Sequence, residues 1–222
     1  MKTNYKLTLI AAMVVTSLAS AADPTAPIVA PDEALGRLKA GNERFVSNKD
    51  STSKPAAARR TETASGQHPF AIVVGCADSR TAPEIVFDQN IGDLFVVRTA
   101  GNLVDDYGLG SIEYAVEHLG VRLIVVLGHE RCGAVTAAIA GGTAPGHVNA
   151  LVRDIQPAVL AAKGKEGDGL ANTIHENDAA VAVKIRKDAQ LGELASQVKV
   201  VEGYYDLHTG KVEWAGYRTL VQ

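Results

Sequence analysis

The hydrophobic positions of this chain follow two rhythms. Three short runs are apolar at nearly every position: "FAIVVG" over residues 70–75, "LFVVR" over 94–98 and "LIVVL" over 123–127. Runs of this length, rich in Val and Ile, are expected of strands covered on both faces. Between and around them the apolar residues recur at helical spacing. Residues 31–47 place Ala34, Leu35, Leu38, Phe45 and Val46 on one side, with Asp32 and Glu33 in the first turn, where the helix dipole favours acids. Residues 108–120 align Ile112, Ala115, Val116 and Leu119 and stop at Gly120. Further helices are predicted over 131–140, 147–162 and 173–191, the last two separated by the polar turn "KGKEGDG". A late pair of strands is predicted over 198–205 and 211–217, around the turn "DLHTG". Residues 48–67 are polar and read as a segment crossing the surface.

Alternating strands and helices predict an α/β fold. Its centre is a mostly parallel β-sheet of four to five strands flanked by helices, with an N-terminal helical arm. The length of 222 residues suits one domain, and no internal repeat or second composition regime divides it. Residues 1–21 read instead as a signal peptide. Lys2 and Lys6 precede the apolar stretch 7–15, and Ala19-Ser20-Ala21 has the small residues of a cleavage site. The apolar stretch is shorter than the roughly 20 residues of a membrane span. The expectation is a single domain over 22–222, periplasmic or secreted, and not held by a membrane after cleavage. Hydrophobic residues make up 46% and charged ones 21%, with a net charge of −3. That balance excludes a molecule whose overall charge attracts nucleic acid. The first strand runs into "GCADSR" rather than a glycine-rich dinucleotide turn, and no Walker A sequence occurs.

In sheets of this kind ligands gather beyond the carboxyl ends of the strands. "GCADSR" follows the first strand and "GHERCG" follows the third, so both clusters are expected at the same edge. Cys76 and Asp78 are two apart in an extended segment and point the same way. His129 and Cys132 are three apart at a strand-to-helix turn, where a thiolate is favoured. Two sulfurs and an imidazole form a known zinc ligand set with a position left over for chemistry. Export and an even cysteine count also allow a Cys76–Cys132 disulfide, and each residue alone could be ordinary packing. His68, His118, His147, His175 and His208 read as surface residues.

"CADSR" followed by "GHERCG" resembles the paired motifs of the β-class carbonic anhydrases, CxDSR and HxxC. The flanks "FDQNIGDLFVVRTAGN" and "GSIEYAVEHLGV" are similar to the same family, over about residues 35–217. The resemblance implies one zinc ion per subunit on Cys76, His129 and Cys132. It implies reversible hydration of carbon dioxide to bicarbonate and a proton by zinc-bound hydroxide. Asp78 either binds zinc, closing the site, or pairs with Arg80 and orients the nucleophile; the open form is expected here at higher pH. By position, Gln67, Phe95, Ala100 and Tyr114 match substrate-pocket residues, Tyr114 across a dimer interface. Core packing is the competing reading for Phe95 and Tyr114. Ser79 is expected to hydrogen-bond within the metal loop. Gly75, Gly101, Gly128 and Gly133 are expected to allow close backbone approach. A homodimer or homotetramer is implied. Some bacterial members have a regulatory bicarbonate site built on a tryptophan, an arginine and a tyrosine. Arg98 and Tyr205 match the last two, but Val73 stands where the tryptophan would be. Two other readings keep the metal: hydrolysis of carbonyl sulfide or carbon disulfide, and a closed, non-catalytic zinc site.

Overall fold

The computed structural model describes residues 28–49, 56–188, 191, 194 and 196–215. Residues 1–21, read above as a signal peptide, lie outside them. Five strands form one sheet: β1 (Ala71–Cys76), β2 (Leu94–Thr99), β3 (Leu123–His129), β4 (Lys199–Tyr205) and β5 (Val212–Trp214). The order is β2-β1-β3-β4-β5. Every neighbouring pair is parallel except β4 with β5. The final strand is shorter than the sequence suggests; residues 216 and 217 lie outside the described part.

Alternation along β1 and β3 divides the core between two faces. Ala71, Val73, Leu123, Val125 and Leu127 face α1 (Pro31–Val46), packing with Ala34, Leu35 and Leu38. Ile72, Val74, Ile124 and Val126 face the opposite way, toward Ile112, Ala115 and Val116 of α4 (Asp106–Glu117). Val181, Ala182 and Ile185 of α7 (Gly169–Arg186) complete that side. The expected N-terminal helix is thus present, packed on the sheet. Its buried Asn42 locks it there, donating to the carbonyls of Val86 (3.0 Å) and Gly210 (2.8 Å) and accepting from Val212 N–H (2.9 Å).

Three expectations change. The strand β2 is half-buried at every position, not covered on both faces, because it is the sheet's edge. The polar segment 48–67 contains α2 (Ala56–Glu62), which buries no residue and so leaves no apolar periodicity to read. Arg59 ties it to the domain by bonds to the Ile91 carbonyl (2.9 Å) and Asp93 (2.9 Å). The last helix, α7, begins at Gly169 rather than residue 173, since Asp168 caps it by accepting from Leu170 and Ala171 N–H. The one-turn α3 (Pro83–Val86), α5 (Gly133–Ala140) and α6 (Val148–Ala162) complete the set. Among the described residues no helix is long and apolar enough to cross a membrane.

Candidate metal centre

The carboxyl ends of β1 and β3 are neighbours in the sheet, so Cys76 and His129 are brought together despite their separation in sequence. Arg131 takes a left-handed φ of 54°, turning the chain sharply between His129 and Cys132. Cys132 then stands at the N-cap of α5. One donor atom each from Cys76, His129 and Cys132 lies within 4.8 Å of the other two. All three side chains are buried, and both cysteines are free thiols rather than a disulfide.

The hydrogen bonding of this trio fits a metal. His129 Nδ1 lies 2.9 Å from the Glu130 carbonyl, which can only accept, so Nδ1 carries the proton. Nε2 then presents a lone pair, yet it is buried and has no hydrogen-bond partner. A buried acceptor left this way is costly unless a ligand satisfies it. The sulfur of Cys76 accepts the Gly101 N–H at 3.2 Å. Its pKa is lowered to about 3, chiefly because the Cys132 thiol donates to it; the Gly101 N–H acts in the same direction, against burial. The Cys132 thiol is pushed up by that same bond and by burial. The pair thus shares one proton, which a metal would displace.

Asp78 is turned onto Arg80 in a two-pronged pair. Arg80 Nε donates to Oδ1 at 2.9 Å and Nη2 to Oδ2 at 2.7 Å, with the Arg80 backbone N–H adding a third bond at 3.0 Å. These bonds, the side-chain ones first, hold the Asp78 carboxyl well below the usual carboxylate range. Its Oδ2 remains 4.0 Å from His129 Nε2. Ser79 is exposed, and the hydroxyl that closes the loop is that of Thr81, which donates to the Asp78 carbonyl at 3.0 Å.

Arg98, matched by sequence to a regulatory position, bonds the loop after β1. Its Nε donates to the Cys76 carbonyl at 2.8 Å and its Nη2 to the Asp78 carbonyl at 2.5 Å. Val73 is fully buried in the core. The guanidinium is therefore engaged in holding the metal loop, and Val73 adds no ring beside it. Of the glycines, Gly101 needs its φ of 70° and its closeness to Ile155 and Ala134, and Gly128 lies against Asp178. Gly75 and Gly133 have room for a Cβ, so close approach does not require them.

The expected pocket residues divide. Ala100 opens the 3-10 turn Ala100–Asn102 beside Cys76, at the metal end of the sheet. Gln67, Phe95 and Tyr114 do not join it within one chain. Gln67 precedes β1, while Phe95 pairs in register with Ile72, near the start of β1. The rings of Phe95 and Tyr114 meet at 6.5 Å, both half-buried. The five remaining histidines are exposed, as expected. Asn102, Asn177 and Asp178 are buried polar residues near the centre that no motif marked.

Known proteins share this arrangement of sequence and fold. A family profile described as carbonic anhydrase matches residues 71–212. Carbonic anhydrase 2 of Mycobacterium tuberculosis is 42% identical over 198 residues, covering 83% of this chain and 93% of that protein. The carbonic anhydrase of Mycolicibacterium smegmatis is 41% identical over 191 residues, covering 82% and 92%. Among solved structures, the Coccomyxa β-carbonic anhydrase in complex with acetazolamide superposes with a TM-score of 0.65 at 27% identity. It covers 81% of this chain and 85% of that one. A tetrameric β-carbonic anhydrase of Sordaria macrospora shares the fold at the same TM-score and 24% identity, covering 79% and 98%. With a profile spanning most of the chain and relatives this similar over nearly their whole length, the chain belongs to the β-class carbonic anhydrases, a family of enzymes.

Proposed function

We propose that this enzyme catalyses the reversible hydration of carbon dioxide to bicarbonate and a proton, with one zinc ion held by Cys76, His129 and Cys132. The observation that carries the reading is the buried, unpartnered lone pair of His129 Nε2 converging with two free sulfurs. Soft thiolates and imidazole together favour zinc over magnesium or calcium. Bound there, zinc would supply the Lewis acidity that brings the pKa of water to about 7.

The chain's own residues do the rest. Arg80 keeps the Asp78 carboxylate ionised and engaged, which supports an arrangement leaving a fourth coordination position for water. From that place Asp78 accepts a hydrogen from the nucleophile and directs its lone pair at carbon. Arg98 and Thr81 hold the loop that sets the direction of the carboxylate. Ala100, at the start of the turn whose Gly101 bonds Cys76, is the pocket residue placed nearest the trio.

Gln67, Phe95 and Tyr114 belong, in this reading, to the site of a second subunit. Support comes from their position away from their own chain's Cys76 and from the half-buried edge strand that carries Phe95. The assembly is a homodimer or homotetramer, measurable by light scattering. Residues 1–21 direct export and are removed, which mass spectrometry of the mature N-terminus would test.

The decisive experiment is stopped-flow hydration of carbon dioxide against pH on the zinc-loaded mature protein, with Asp78→Ala beside it. Robust activity reduced by the substitution is expected. Zinc binding without hydration at any pH would overturn the reading. Turnover of carbonyl sulfide or carbon disulfide alone would transfer the same site to the other substrate class.

A further inference from the structure

Helix α7 carries three polar side chains inside its hydrophobic face. Thr173 bonds back to the Gly169 carbonyl of its own helix, whereas Asn177 and Asp178, each 2% exposed among Ile174, Val181, Ala182 and Ile185, bond to groups outside it. Burying an amide and a carboxyl is unfavourable unless both are hydrogen-bonded. Their partners are all backbone or side-chain groups next to the metal centre. Asn177 Nδ2 donates to the Gly101 carbonyl at 2.9 Å. Asn102 Nδ2 donates to Asp178 Oδ1 at 3.0 Å.

Those two bonds grip consecutive residues of the 3-10 turn after β2. Both residues are left-handed, with φ of 70° at Gly101 and 45° at Asn102. A non-glycine residue holds that conformation only where its surroundings enforce it. The N–H of the same Gly101 donates to Cys76 Sγ. The carboxyl of Asp178 also presses against Gly128, where any Cβ would overlap it. Gly128 immediately precedes His129. A single turn of α7 therefore braces the backbone behind two of the three converging side chains.

We propose that Asn177 and Asp178 are positioning residues of the metal centre. Through Gly101 and Asn102 they aim an N–H at the Cys76 sulfur, and through Gly128 they fix the strand end that carries His129. The N–H···S bond stabilises the thiolate and sets the direction of its remaining lone pairs. This deepens the zinc reading above and rests on it. Loss of a group that orients a ligand in this way typically weakens metal binding by about 10- to 100-fold.

The test is chelator competition for zinc on the full mature chain, with thermal melting in parallel. Asn177→Ala and Asp178→Ala are each expected to raise the zinc Kd about 10- to 100-fold. Asp178→Asn keeps an acceptor for Asn102 but turns an amide N–H toward the Gly128 N–H, and is expected to weaken zinc binding less than Asp178→Ala does. Val181→Ala, a buried change on the same helix with no bond to the turn, should lower Tm without changing zinc affinity. Should Asn177→Ala fail to fold, Asn177→Leu removes the same donor while filling the space. The proposal is overturned if the Asn177 and Asp178→Ala variants bind zinc as wild type does. It is equally overturned if Val181→Ala weakens binding as much. A wild-type chain that binds no zinc would overturn the metal reading and this one together, whereas unchanged variants beside a zinc-binding wild type would overturn this one alone.

Discussion

The two ends of β2 are built very differently. At the Thr99 end the side chains of Thr99 and Arg98 bond within one chain. The Thr99 carbonyl accepts Ala77 N–H, its hydroxyl bonds the Leu103 carbonyl, and Arg98 beside it holds the Cys76 and Asp78 carbonyls. At the Phe95 end, about 13 Å away at the usual strand rise, the edge offers a half-buried aromatic pair with Tyr114 and none of the metal-binding trio. One chain brings a candidate ligand set together, whereas Phe95 and Tyr114, matched to its walls, lie at the other end of the edge strand. Ligand sets need short, exact distances, which a sheet register delivers. Walls need only apolar surface, which another copy can supply.

Five substitutions, in four tests, would break or sharpen this contrast. The largest effect is expected from Cys132→Ser at the self-contained end. It should lose zinc altogether and reduce hydration to background, because a hydroxyl is a poor substitute for a thiolate. Metal analysis showing one retained zinc per chain would contradict it.

Next comes Arg80→Ala, expected to lower kcat/KM by about 10²-fold while zinc stays bound. The sign of its pH effect follows from the pair. Arg80 holds the Asp78 carboxyl below its usual range, so removing it lets that pKa rise. The rise carries Asp78 toward the ordinary carboxylate range, still below the roughly pH 7 of zinc-bound water. The main acid limb should therefore stay in place while activity below about pH 5 falls more steeply than in wild type, measurable by stopped flow. Identical profiles in that acid region would contradict this.

At the other end, Phe95→Ala and Tyr114→Ala should each lower hydration by roughly three- to tenfold, the scale of one aromatic contact. Zinc content should not change. If these variants also shift the light-scattering mass toward monomer, the aromatic pair belongs to the interface. Full activity in a monomer would end the idea of walls shared between subunits.

The smallest effect is expected from Asp178→Asn. Burial, then its charged neighbours Glu202 and Cys76, raise the Asp178 pKa well above that of a free carboxyl, although the Asn102 bond opposes this. The unfolded chain ionises it near pH 3.9. Its contribution to stability is thus fully present below that pH and declines as pH rises toward the folded pKa. An amide cannot ionise, so the Tm of the variant relative to wild type should rise by a few degrees between about pH 4 and pH 8. Parallel melting curves across pH would contradict this.

Legibility in the sequence followed the length scale of the interaction. Continuous apolar runs marked β1, β2 and β3, and helical spacing marked α1, α4 and α6, because both patterns are local. The exposed α2 and the one-turn α3 carried no such periodicity. Cys76, Asp78, Arg80, His129 and Cys132 were legible because two short motifs follow strand ends. Asn42, Asn177 and Asp178 were not, since an isolated Asn or Asp in a helical stretch looks like a solvated position. The bonds of Arg98 to the Cys76 and Asp78 carbonyls were not legible either.

The order of apolar and polar residues by itself determined a parallel α/β domain with two reactive turns at one sheet edge. Periodicity and strand chirality leave few other arrangements. Only the tertiary structure decided that β2 is an edge, that Asp78 turns to Arg80, and that α7 reaches back to brace Gly101 and Gly128. Those outcomes depend on which distant groups become neighbours, and hydrogen bonds across 76 residues leave no trace in local spacing.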